Sequence, residues 1–132
     1  MARPAPHDYT AAASYLSLLL DAPSVTAVVR RLRTAPRVLH PAKDLLRASG
    51  LPMLAVDDPE VAKDLKKVRK GTPLSPVLLV RGGLELDRAL IVADGYHRIC
   101  ISYHIGDDQP VPCHIADLPS HQPAVAGARR TA

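Results

Sequence analysis

The residues with the most chemistry in this chain are Asp94-Gly95-Tyr96-His97-Arg98. They follow the apolar run Ala89 to Ala93 and open a helical pattern. Glycine lets a backbone turn sharply and approach a neighbour closely. The first turn of a helix carries unpaired N–H groups and a partial positive charge, and His97 and Arg98 add side-chain donors at the same spot. A strand, a glycine turn and a donor-rich helix start suit phosphate or another anion. Arg98 fits that role because its planar fork takes two oxygens at once. The competing reading is a tight turn with Arg98 paired to a carboxylate such as Asp94. The anion reading needs the guanidinium beside an empty hollow; turned inward and neutralised, it is lost. Asp94 could hold magnesium together with phosphate oxygens or take a proton, although a turn or cap is its commoner use. Tyr96 suits ligand stacking and half-buried packing equally.

Other clusters carry less. Lys63, Lys66, Lys67 and Lys70 recur at i, i+3, i+4 and i+7, opposite Val61, Leu65 and Val68. Such a stripe can follow a nucleic-acid backbone, but it is far more often the wet side of an amphipathic helix. Cys100, Cys113, His104 and His114 show no two-plus-two metal-ligand spacing, so no metal site is expected. Strand alternation sends Cys113 and His114 to opposite faces.

These residues sit in a 132-residue chain that is 47% hydrophobic, with no Phe or Trp and only four Tyr. One domain with an aliphatic core follows. Stacking platforms for single-stranded nucleic acid need aromatics, which argues against that class of reader. A net charge of +4 tolerates an anionic partner without demanding one. Two cysteines make no disulfide framework. The start does not resemble a signal peptide, and the apolar run Tyr15 to Leu20 is too short to span a bilayer. A cytoplasmic protein with no membrane partner is the expectation; the oligomeric state is left open.

The positioning elements read as follows. Residues 1–9 are proline-rich and expected to be flexible. Residues 10–35 form a helical hairpin, with a first helix from Thr10 to Leu20, a stop at Asp21-Ala22-Pro23, and a second helix capped by Ser24. The Val25, Val28, Val29 and Leu32 stripe of that second helix covers the domain's own sheet or, less commonly, a dimer partner. A short helix from Pro41 to Ser49 ends at Gly50, and Leu54 to Val56 suits a short strand. Asp57 and Asp58 cap a helix opened by Pro59 and closed by Gly71. Pro76 to Arg81 and Ala89 to Ala93 pair as an antiparallel hairpin after a turn at Gly82-Gly83. Tyr96 to Ile105 is a helix, and Val111 to Ile115 the last strand, reached by a right-handed crossover if it shares a sheet with Ala89 to Ala93. Residues 118–132 read as a disordered tail. The fold class is α/β (α+β): a small mixed sheet flanked by helices.

Residues 36–117 resemble the ParB/sulfiredoxin superfamily, the match running from about Lys43 to Ile115. It rests on the apolar Pro76-Val77-Leu78-Leu79-Val80-Arg81, on Asp94-Gly95-Tyr96-His97-Arg98 and on Val111-Pro112-Cys113-His114-Ile115. Sulfiredoxins carry Gly-Gly-Cys-His-Arg and ParB N-terminal domains Gly-Glu-Arg-Arg or Gly-Glu-His-Arg at the position of the second motif. In both families that motif cradles nucleotide phosphates. The resemblance therefore implies that Gly95, Tyr96, His97 and Arg98 hold a nucleoside triphosphate (CTP or ATP, with or without magnesium). Ser75 and Arg81 are subsidiary candidates for ribose or base contacts. Tyr96 stands where sulfiredoxins have their nucleophile, so sulfinic acid reduction is not expected. The ParB helix-turn-helix and second nucleotide motif have no counterpart in this sequence, so a complete CTP-gated DNA clamp is not expected either. Two further readings stay open: phosphoryl transfer or nuclease chemistry in the same pocket with Asp94 as catalytic residue, and an adaptor whose pocket is vestigial.

Overall fold

A computed structural model describes residues 3–82 and 89–119. In chain order they form α1 (Pro6–Leu16), α2 (Ala22–Thr34), β1 (Val38–Pro41), α3 (Ala42–Ser49), α4 (Pro59–Arg69), β2 (Val77–Arg81), β3 (Ile91–Asp94), α5 (Tyr96–Ile105) and β4 (Pro110–Asp117). The four strands make one mixed sheet in the order β1-β4-β2-β3. β4 pairs antiparallel with β1 and parallel with β2, whereas β3 runs antiparallel to β2 along the sheet edge. This is the expected small α+β fold, a mixed sheet flanked by helices with an N-terminal helical hairpin on it.

β2 explains the layering. Its first four residues are fully buried, and alternate side chains of a strand point to opposite faces. Val77 and Leu79 enter a core with Leu45, Leu65 and Ile99, from α3, α4 and α5. Leu78 and Val80 enter a second core with Ala12, Leu16, Val28 and Leu32, from α1 and α2. Each fully buried Leu or Val contributes about 1.5–3 kcal/mol of transfer free energy, so neither helical layer is dispensable. The Val28 and Leu32 stripe covers the chain's own sheet, and Cys113 belongs to the first core. His114 turns to the other side, where its Nδ1 lies 2.9 Å from the Ala35 carbonyl.

Several expectations need correction. α1 begins at Pro6, not Thr10, and ends at Leu16, so residues 6–9 are helical. Proline is favoured at the first helical position because its missing N–H would have no partner there. α2 begins at Ala22 with Asp21 as its cap, the Asp21 carboxylate accepting from the Ser24 amide at 3.0 Å; Asp21-Ala22-Pro23 is a start, not a stop. Leu54 to Val56 is not a strand. Val38–Pro41 is one, though no strand was expected there. β3 and β4 share a sheet but run antiparallel with β2 between them, so the parallel-crossover rule does not govern that connection. Leu118 packs on the second core; the rest of the tail beyond Pro119 lies outside the described residues, as does Gly83.

Candidate functional site

β3 ends at Asp94, Gly95 turns the chain, and α5 starts at Tyr96, where the sequence places it. Gly95 has φ 109°, in the left-handed region that β-carbon-bearing residues avoid. A Cβ there would lie 2.5 Å from Val77 Cγ1 and 3.1 Å from Arg98 Nη2. The close approach that requires glycine is thus to Val77 of β2 and to Arg98. Gly95 has no side chain to cap the first turn of α5, and none caps it from that position.

Arg98 points inward. Its side chain is 14% exposed, and those of Asp94 and Asp8 are 17% and 8% exposed. Nη2 donates to the Asp94 carboxylate one helical turn back. Nη1 donates to the carbonyls of Ser75 at 3.2 Å and Pro76 at 3.1 Å, and to the Ser75 hydroxyl. It also lies 3.6 Å from Asp8 Oδ2. That same oxygen accepts from the Ala5 amide at 2.9 Å, closing the start of α1, and from the Ser75 hydroxyl at 3.4 Å. One guanidinium therefore ties together α1, the segment before β2, the end of β3 and α5.

Two carboxylates share this single cation. Burial, the dominant cause, lifts the Asp94 carboxyl above its ordinary value; the Arg98 charge pulls it down and the Asp8 charge pushes it up. Neutralisation of Arg98 is the outcome that the turn-and-pair reading of the motif anticipates. The guanidinium is turned onto Asp94, Asp8 and two carbonyls instead of being left free for an anion.

The other predicted residues scatter. Ser75 joins the cluster. Arg81 does not: it pairs with Asp117 at 3.1 Å at the far end of β2. The Tyr96 hydroxyl donates to the Pro52 carbonyl, a packing role between α5 and the loop before α4. His97 is exposed, its ring tilted against Tyr96 at 5.8 Å. Lys63, Lys66 and Lys67 line the exposed side of α4, and Lys70, also exposed, caps its end. No group of three or more His, Cys, Asp or Glu among the described residues could hold a metal. Both cysteines are buried, and burial pushes the Cys113 thiol up to about 12.

Asp8 is the residue that sequence reasoning missed. Its one local signal is the Pro6-His7-Asp8 order, a helix-opening proline with an acidic residue in the first turn. Nothing in that order reveals a partner 90 positions away.

Compared with known proteins, the chain matches no family model, no curated protein and no solved structure. No helix among the described residues is long and apolar enough to cross a membrane.

Proposed function

We propose that this chain is a ParB-like nucleotide-binding domain whose phosphate site forms only once Asp8 leaves Arg98, because the inward, neutralised guanidinium of the present conformation is not the open anion site that the motif led one to expect. The observation that carries this reading is the second carboxylate on Arg98. Asp94 alone would neutralise the guanidinium, yet Asp8 is delivered to the same group from a separate helix. A carboxylate beside Arg98 and the Gly95 turn holds the kind of position that a phosphate oxygen would take. The uncapped start of α5 supports the reading, as does the likeness of Asp94-Gly95-Tyr96-His97-Arg98 to the phosphate-cradling motif.

In the open form Asp8 withdraws with the first turn of α1. A nucleoside triphosphate (CTP or ATP, with or without magnesium) then places phosphate oxygens where Asp8 stood, within ion-pair range of Arg98, and on the amides of Tyr96 and His97. The exposed His97 ring adds a donor. Asp94 stays on Arg98 and orients it, which leaves it poorly placed as a base and disfavours phosphoryl transfer or nuclease activity. Ser75 moves from Asp8 to the ligand.

Thermal melts of the full chain with ATP or CTP, with and without magnesium, test this in wild type and Asp8→Asn. The variant keeps an oxygen to accept from the Ala5 amide but loses the competing charge. It is expected to bind more tightly and to gain more melting temperature; a hundredfold excess over Kd is worth about 2.7 kcal/mol. No stabilisation of either protein would refute the reading. That result would favour the adaptor with a vestigial pocket, which the complete occupation of Arg98 also suits. Nucleic-acid binding through the α4 lysines has no comparable support.

A further inference from the structure

We infer that a second pocket, between the ends of α4 and α5 and the start of β4, binds a small amphipathic anion such as an arene carboxylate. The pocket has a volume of about 410 Å³, within the range that encloses small ligands. Its walls are mainly apolar: Leu74, Ile105 and Val68 stand among four prolines. Flat proline and leucine surfaces suit a ring system better than a hydrated polar body.

Two of the pocket's polar side chains mark where the ligand's own polar atoms go, the other two, Thr72 and Gln109, being exposed. Ser102 is 5% exposed and lines the pocket. The hydroxyls of Ser17, Thr34 and Ser49 turn back onto carbonyls of their own helices. That of Ser102 takes no hydrogen-bond partner among the described residues, although a buried hydroxyl ordinarily has one. Arg37 is the only ionisable residue in the lining. It is exposed and, among the described residues, forms no ion pair. Lys66, Lys67 and Arg69 fill the last turn of α4, whose Val68 lines the same pocket, while Asp107 and Asp108 precede the lining residue Gln109, Asp108 being paired with Lys43. A carboxylate on Arg37, a ring against the prolines and a polar atom on Ser102 would satisfy the unpaired Arg37 charge and the buried Ser102 hydroxyl.

Fluorescence titration of the full chain with 1-naphthoate and with the neutral 1-naphthalenemethanol tests this. Saturable 1:1 binding is expected for the carboxylate, with weaker binding of the alcohol. Arg37→Gln should weaken naphthoate about tenfold, the loss of one charge-assisted contact, and leave the alcohol unchanged. Ser102→Val should weaken both. Should Ser102→Val fail to fold, the exposed Arg37→Gln, whose melting temperature should match wild type, decides alone. Equal affinities for the two probes, indifference to Arg37→Gln or absence of saturation would each overturn the proposal. Nucleotide plays no part in the assay, so its outcome is independent of the phosphate site.

Discussion

Arg98 and Arg37 have opposite surroundings. Arg98 lies in the conspicuous motif, yet it is buried between two carboxylates and two carbonyls. Arg37 lies in an unremarkable stretch between prolines, yet it stands at a pocket with no carboxylate on it. The difference is one of position in the fold. Arg98 follows a turn held tight by Gly95 over Val77, and its side chain returns towards the end of β3 and the start of α1. Arg37 precedes the edge strand β1 and forms no ion pair among the described residues. A cation in a motif can be taken up by neighbouring carboxylates while a plain one keeps an unpaired charge at a pocket.

The sharpest way to break that comparison is to remove each charge. Arg98→Ala strands the buried Asp8 and the half-buried Asp94 carboxylates and is expected to cost about 3 kcal/mol, the low end for a broken buried pair, whereas Arg37→Gln should stay within about 0.5 kcal/mol of wild type. Urea unfolding measures both, and equal losses would erase the distinction. Gly95→Ala comes next, at about 2–4 kcal/mol, because it combines left-handed backbone with a clash at Val77; a neutral result would mean that the turn is not held as described.

The pH dependence of the cluster is a smaller effect. The folded pKa of Asp94 is raised above 3.8, so the folded state favours its protonated form. Its contribution is full below that ordinary value and fades as pH rises through the raised one. From about pH 7 down to pH 4, wild type should therefore gain stability relative to Asp94→Asn, read from paired urea titrations. A flat difference would place Asp94 outside the cluster. Smallest of all, Cys100 and Cys113 should resist iodoacetamide in the native state, since burial raises both thiols. Mass spectrometry would reveal any labelling.

Local signals predicted the elements that local physics controls. α5 begins at Tyr96 because a glycine turn follows an apolar run, and α3 ends at Gly50, which adopts φ 69°. The antiparallel β2–β3 pair was legible from two nearby apolar runs. β1 was not, because Val38-Leu39-His40 is a short run between prolines whose strand character comes from pairing with β4 more than 70 positions on. The early start of α1 was hidden by Pro4 and Pro6, which read as breakers until Asp8 closes the turn onto Ala5. In the candidate site, the Asp94–Arg98 pair was readable from its i, i+4 spacing. The Asp8 contact was not, because it depends on how the hairpin seats on β3. The pocket at Arg37 draws on four separate stretches of chain and left no motif to find.

The central claim is that Arg98 is clamped between Asp94 and Asp8 until an anion displaces Asp8. Nitrogen-15 NMR of the Arg98 guanidinium tests it most directly. Hindered rotation with resolved Nη signals is expected in the free protein, with loss of the Asp8 coupling and a new shift when ATP or CTP is added. A freely rotating guanidinium, averaged and indifferent to both Asp8→Asn and nucleotide, would contradict it.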